Sequence, residues 1–599
     1  MSFRRLSEAI GGSHWYLAML RDSPVAAQRL CQVLSGARWT TERLAERPES
    51  IAWLDDDEEL LARRPGLLCE EITHILRRRA LTAPDEAGLE RQAVEAVRAV
   101  VSVRNRELIR AALADSLDGV DPARTARILT DATDAVIGGA LVVATGLVVA
   151  EREGAQAVAA GPDAAGHWPG GLAEHAVIAM GRFGGAELTY ASDADVLFVH
   201  DPLPGCDPAL AAQEAEAVAS RTLRLLAGAR PHPLTIDADL RPEGRRGPMS
   251  RSLASYAEYY QRWASVWERH ALVRARACAG SEPLGRRFQE LIAPLRWSPD
   301  GLSAVELREI RRLKARMETE RLPRGTDPSR HLKLGPGGLS DVEWAAQILQ
   351  LAHGAQVPGL RTTSTLRALE AAAQAGLLEV EDAGELASAW ILATRVRAAN
   401  VLGTGRDSGV RVDVLPSDQL GIRIVGRLIQ MEPGRERDLE EIYRRTARHA
   451  RAVAERIVFG SGQKKAGDAV VGGAATTAGR GAPGGAPPDQ GIGGRAGQAS
   501  LQAGAAAPAA PHRAGPPGMG ARTANPSGAE PQRRGASPGA GAGNGAAQRG
   551  RAANGAHGGN LDQDAPAVGS RRRPGASTPP ASRRRRPVRR RESGPYPWS

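Results

Sequence analysis

Residues 176–200 read Ala-Val-Ile-Ala-Met-Gly-Arg-Phe-Gly-Gly-Ala-Glu-Leu-Thr-Tyr-Ala-Ser-Asp-Ala-Asp-Val-Leu-Phe-Val-His, and this stretch decides the fold. Ala176 to Met180 is an apolar run of strand length. Gly184-Gly185 then breaks the run with a turn at which backbone can approach a ligand closely. Ala194 to Val199 is a second strand, too apolar for an exposed edge. Ser192, Asp193 and Asp195 sit at its mouth. Carboxylates two positions apart on a strand point to the same side of a sheet. Two acids on one side, beside a glycine turn that can receive phosphates, predict a metal–nucleotide site. A Gly-Gly turn is common, and a solvated strand end accounts for Asp-x-Asp equally well. A third feature shifts the balance: the next strand-like run, Leu234 to Leu240, carries Asp237 and Asp239.

Strand, glycine turn, acid pair, helix and acidic strand in that order resemble the nucleotidyltransferase superfamily. There the acid pair and a third carboxylate hold two divalent cations. The expected fold class is α+β: a polymerase-β-like mixed sheet with helices, flanked by all-helical regions and followed by a disordered tail.

Working outward, the chain of 599 residues is long enough for two or more domains with sizeable cores. The opening Met1-Ser2-Phe3-Arg4-Arg5-Leu6 lacks the apolar segment of a secretory signal. The longest apolar run, Ala135 to Ala150, is shorter than the ~18 residues of a membrane span and contains Gly138, Gly139 and Gly146, so it reads as a buried helix. Cys31, Cys69, Cys206 and Cys278 have no metal-ligand spacing and read as reduced thiols of a cytoplasmic protein. Residues 461–599 hold 20 Lys/Arg and 6 Asp/Glu, a net charge of +14. Of the total of +11, this leaves −3 for residues 1–460. The basic character belongs to the tail and gives no argument for nucleic-acid binding by the folded part.

Residues 1–154 read as a helical region, with Ser23-Pro24 and Asp121-Pro122 as N-cap and first-turn pairs. Trp15, Trp39 and Trp53 are expected as core anchors. Residues 155–300 form the expected catalytic domain, entered through a Gly/Pro/Ala linker at Gly161 to Gly171. It contains a helix over Pro208 to Leu226 and another bearing Tyr256, Tyr259, Tyr260, Trp263, Trp267 and Glu268. Core packing and stacking on adenine are both open for these aromatics, packing being favoured. Residues 301–460 are again helical. A basic helix spans Ser303 to Arg321, read mostly as a solvated face. The glycine segment His331 to Trp344 opens a helix near Leu339, where a helix N-terminus with Lys333 nearby is a phosphate candidate and a plain glycine-rich entry the alternative. Residues 461–599 are Gly, Ala, Pro, Arg and Ser with hardly any apolar bulk, which predicts disorder. The runs Arg571 to Arg573 and Arg583 to Arg591 offer polyanion contact, with a solvated tail as the default.

With these motifs in hand, Phe3 to Phe459 resembles the adenylyltransferase that modifies glutamine synthetase. The motifs occur in the family's order: Met180-Gly-Arg-Phe-Gly-Gly-Ala-Glu-Leu, Ser192-Asp-Ala-Asp, Asp237-Ala-Asp-Leu-Arg-Pro-Glu-Gly, Tyr259-Tyr-Gln-Arg-Trp, Trp267-Glu-Arg and Lys333-Leu-Gly-Pro-Gly-Gly-Leu-Ser-Asp-Val-Glu-Trp. Full-length members carry two such units, one adding adenylate to a tyrosine of glutamine synthetase and one removing it by phosphorolysis to ADP. Glu320 to Pro328 and Leu360 to Leu366 resemble the carboxy-terminal, adenylylating unit of the high-GC Gram-positive type. Ala191 and Pro336 depart from the usual pattern, and the sequence is read as holding one such unit.

The resemblance implies that Asp193, Asp195 and Asp237 bind Mg²⁺ or Mn²⁺ and are the catalytic acids. ATP is then the substrate. Gly184, Gly185 and Ser192 are implied to position phosphates, with Arg241 and Lys333 as further charge-stabilising candidates. Asp239 is ambiguous, because members often have Arg there. The implied partners are glutamine synthetase and the PII signalling protein, with no membrane. Phosphorolytic removal of AMP and a non-catalytic binding remnant are the alternative readings.

Overall fold

The computed structural model describes Leu6, Glu8, residues 14–163 and residues 168–460. The predicted disordered segment 461–599, with its arginine runs, lies outside the described residues.

Residues 14–158 are helical, as the sequence predicts. Ser23 caps the helix Pro24–Gly36 by accepting from the Ala26 amide, and Asp121 caps Pro122–Glu153 by accepting from Ala123 and Arg124. Pro24 and Pro122 occupy first-turn positions, where a missing N–H costs nothing. The apolar run Ala135 to Ala150 lies inside Pro122–Glu153. That helix is long and apolar enough to cross a membrane by composition, yet 83% of its most apolar window is buried inside the protein.

A five-stranded mixed sheet follows: β1 (Ala173–Ala179), β2 (Ala194–Pro202), β3 (Ile236–Asp237), β4 (Ser250–Ser252) and β5 (Arg276–Gly280). Its order is β3-β2-β1-β5, with β4 also paired to β2. β1 is antiparallel to both β2 and β5, while β3 and β4 run parallel to β2. Both faces of the central strands are covered. Val177, Ala179, Val196 and Phe198 enter the large core that also holds Val100 and Val136 of the long helices. The alternate residues Ala176, Ile178, Leu197 and Val199 enter a second core with Tyr256, Leu284, Phe288 and Ile292. Two buried faces explain why these strands read as continuous apolar runs.

The second core settles the aromatic segment in part. Tyr256 and Tyr260 are buried, whereas Trp263 is 66% exposed and Trp267 is also exposed. The segment is two helices, Leu253–Trp263 and Val266–Leu272, because Ser265 and Glu268 form a capping box that restarts the helix. Among the tryptophans expected in the core, Trp39 is buried and Trp53 half-buried, but Trp15 is exposed. The predicted helix at Ser303 starts with a capping box and spans Ala304–Glu320. Its Lys314 is not on a solvated face: it is buried and ion-paired with Asp341 and Glu318. Leu339–His353 begins where the glycine segment predicts, and the last helix ends at Phe459.

Candidate active site

The acids come together through strand register. β2 and β3 pair in parallel with Asp195 directly opposite Asp237, so both side chains leave the same face of the sheet. Asp193 lies on the exposed approach two residues earlier. The Met180 amide donates to the Asp195 carbonyl at 2.8 Å, which fastens the end of β1 to the mouth of β2. Gly181 follows with φ +53°, and a Cβ there would fall 2.4 Å from Asp195 Oδ2. Only glycine leaves room for that carboxylate. Burial pushes the Asp195 carboxyl up to about 6, and the negative charges of Asp237 and Asp193 add to the rise, with Lys333 and Arg274 opposing it. An all-carboxylate set suits a hard divalent cation. A cation would also relieve the repulsion that raises Asp195, so the residues fit the metal in kind and in register. As the side chains stand, no three of His, Cys, Asp or Glu among the described residues converge on a metal position. One reason is visible: Asp237 Oδ1 accepts from the Asp239 amide at 2.7 Å, turned toward its own loop.

That turn also shortens the strand. The sequence predicts one over Leu234 to Leu240, but β3 covers only Ile236–Asp237. Arg241 is buried and donates to the Ala238 carbonyl at 2.8 Å and the Gly247 carbonyl at 3.3 Å, tying the following loop. In this arrangement its guanidinium braces the loop that follows β3. The Asp239 carboxylate is engaged by arginines, 2.7 Å from Arg245 Nε and 3.7 Å from Arg241 Nη1.

The glycine turn also has a packing role. Residues 181–184 form a single helical turn. The Gly184 and Gly185 amides are spent inside it, on the carbonyls of Met180 at 2.7 Å and Gly181 at 3.1 Å. A Cβ on Gly184 would lie 1.8 Å from the Arg274 carbonyl, and one on Gly185 would lie 2.2 Å from Arg274 Nη2. These glycines admit the Arg274 segment. Ser192 likewise serves its own loop: its Oγ accepts from the Thr189 amide at 2.9 Å and lies 3.0 Å from Thr189 Oγ1. The N-terminus of Leu339–His353 is filled by the protein itself, since Asp341 accepts from the Gly337 amide at 2.7 Å and is held by Lys314 and Arg451. A plain helix entry is the reading that fits. Lys333 is the remaining phosphate candidate. Its ammonium has no ion pair among the described residues, it is close enough to Asp195 to lower that carboxyl, and burial with Arg397 and Arg182 nearby pushes its own pKa down.

The sequence profile described as glutamate-ammonia ligase adenylyltransferase matches residues 27–291. The chain belongs to the glutamine synthetase adenylyltransferase family. This is a family of nucleotidyltransferase enzymes. A second profile, described as GlnD PII-uridylyltransferase, matches residues 309–457. The chain is 48% identical over 471 residues to a bifunctional glutamine synthetase adenylyltransferase/adenylyl-removing enzyme of Streptomyces avermitilis, covering 77% of this chain and 45% of that protein. Proteins of the same description from Leifsonia xyli (43% over 466 residues, 78% and 43% covered) and Mycobacterium tuberculosis (41% over 464 residues, 77% and 44% covered) are also similar. The chain thus spans less than half the length of these relatives.

Sequence reasoning missed what braces the site in this adenylyltransferase-family unit. Arg182 donates to Glu343 at 2.7 Å; Arg274 pairs with Glu187 and lies 3.6 Å from Glu343. Arg397 pairs with Asp413 and donates to Thr189 Oγ1 at 2.9 Å and the Ala191 carbonyl at 3.1 Å. Glu187 accepts from the Thr365 amide at 2.6 Å. Burial pushes Glu343 up, but Arg182 and Arg274 outweigh it and hold the carboxyl down at about 2. The network docks residues 343–413 onto the loop that carries the acids. Its signal lay inside quoted motifs: Arg182 and Glu187 flank the glycines, and Glu343 precedes Trp344.

Proposed function

We propose that the chain transfers AMP from ATP to a tyrosine of glutamine synthetase, releasing pyrophosphate. The observation that carries the proposal is Asp195 set opposite Asp237, with its carboxyl raised and the unpaired Lys333 nearby. The same arrangement of strands and acids supports a nucleotidyltransferase fold, with a catalytic region over 155–300 and a helical region over 301–460. In this reading Asp193, Asp195 and Asp237 hold Mg²⁺ or Mn²⁺. The metal, when bound, polarises the phosphoryl oxygens and offsets the charge of the leaving pyrophosphate.

The chain's own residues do the rest. Asp237, on the exposed side of the pair, accepts the tyrosine proton. Lys333 supplies positive charge beside the acids for the triphosphate. Arg182, whose Nε and Nη1 are buried without partners, holds the turn against Glu343. The match of residues 309–457 to a PII-uridylyltransferase profile supports extending the reading to PII as a second partner.

The relatives' description also includes adenylyl removal, which the same acids would perform with inorganic phosphate as nucleophile. We favour addition, and the carboxy-terminal unit as its counterpart, from the motifs Glu320 to Pro328 and Leu360 to Leu366. The test has two arms. α-Labelled ATP with glutamine synthetase should label the synthetase. Adenylylated synthetase with phosphate and no nucleotide should release little labelled ADP. Rapid ADP release without labelling in the first arm would reverse the assignment.

A further inference from the structure

A cavity of ≈ 580 Å³ lies among the N-terminal helices and includes none of the candidate site residues. Helices Arg38–Glu46 and Glu86–Asp118 wall it, with Arg47, Arg79 and the segment Arg230 to His232. Five arginines, at 43, 47, 79, 98 and 230, line it against two glutamates, Glu46 and Glu95. Glu46 is already committed to Arg43 and His232. Arg43 also reaches Asp407 at 3.3 Å, and Arg47 reaches Ser102 and lies 4.0 Å from Glu49. Arg79, Arg98 and Arg230 have no ion pair among the described residues, and Glu95 has none either. The positive charge is therefore left over.

Two further observations point to a ligand. Trp39 is 3% exposed and lines the cavity, yet its indole N–H has no acceptor. Asn105 donates to the His232 carbonyl at 3.2 Å, while its Oδ1 is buried with no donor. Close by, Arg104 is half-buried with Thr133 Oγ1 at 3.2 Å as its partner, and desolvation together with Arg43 pushes it down to about 10. Arg104 has no ion pair among the described residues.

We propose that this cavity binds a small organic anion carrying two negative charges, such as a dicarboxylate or a phosphate monoester. The arginines take the anionic groups, the Trp39 N–H supplies a neutral donor, and Asn105 Oδ1 accepts from a ligand hydroxyl or amine. The volume suits a molecule of metabolite size. Two walls continue toward the acid edge. The Trp39 ring packs on Tyr190 at 5.5 Å, three residues before Asp193, and His232 lies five residues before Asp237.

The experiment is calorimetric titration of the full chain with succinate in one arm and glycerol 3-phosphate in the other. The expected result is binding of at least one of them at about 1 mM or tighter. Arg98→Gln with Arg230→Gln, both exposed positions, should weaken that binding roughly tenfold or more. Asp195→Asn should leave it unchanged, which separates this site from the acid edge whatever the transfer activity. Absence of binding in both arms would overturn the proposal. So would binding indifferent to the arginine changes, or binding abolished by Asp195→Asn.

Discussion

Two charged regions lie side by side in this molecule, one open and one closed. At the mouth of β2, Asp193, Asp195 and Asp237 have no paired cation among the described residues, and Lys333 is nearby but makes no ion pair among them. Behind the glycine turn, Arg182, Arg274 and Arg397 meet Glu187, Glu343 and Asp413 charge for charge. The first region carries unbalanced charge and a carboxyl raised to about 6. The second is balanced, with Glu343 held at about 2. Unbalanced charge is costly in a fold and marks a place kept for something that arrives; balanced charge fastens elements together.

Substitutions should therefore act oppositely in the two regions. Asp195→Asn should lower transfer roughly 10³-fold, about 4 kcal/mol of barrier, because Asn fits the space but cannot hold a divalent cation. It should not weaken the fold. The Asp195 carboxyl is raised in the folded chain, so its proton stabilises the fold at low pH, and that contribution is lost as pH rises from the ordinary aspartate range through about 6. In metal-free protein the Asn variant should melt above the native chain at pH 7.5 and level with it near pH 4. An equal or lower melting temperature at pH 7.5 would remove the argument from repulsion.

Arg274→Met should do the reverse. It leaves the buried Glu187 and the half-buried Glu343 with less compensation, so stability should fall by about 3–5 kcal/mol in denaturant titration. A loss under 1 kcal/mol would show that the network is not the fastening described. Lys333→Met should reduce transfer by roughly 10²-fold with an unchanged melting temperature, since it breaks no ion pair. Loss of stability instead would move Lys333 into the closed region. A chain ending at Gly460 should keep the full transfer rate, because every candidate site residue lies before it; a large loss would give the arginine runs a docking role.

How much of this was legible follows from what each residue contacts. The paired acids, the two apolar strands and the helix caps were readable because alternation, N-cap chemistry and helix periodicity are local. Local patterns set those features within a few residues. The packing role of Gly184 and Gly185 was not, because the space they vacate is filled by Arg274, ninety residues away. The same holds for the contacts of Arg241 with the Ala238 and Gly247 carbonyls. Lys314 looked solvated because its partner Asp341 lies on another helix. Charge networks between distant segments leave no spacing in the sequence, so only the folded chain reveals which cations are taken and which are free.

The most direct measurement of the central claim is Mn²⁺ binding by calorimetry in the absence of nucleotide. The native chain should bind Mn²⁺, Asp195→Asn should lose most of that affinity while keeping its far-UV circular dichroism, and Lys333→Met should bind at least as tightly as the native chain. Equal Mn²⁺ affinity in the native and Asp195→Asn chains would contradict the account, because the unbalanced acids would then not be the metal site.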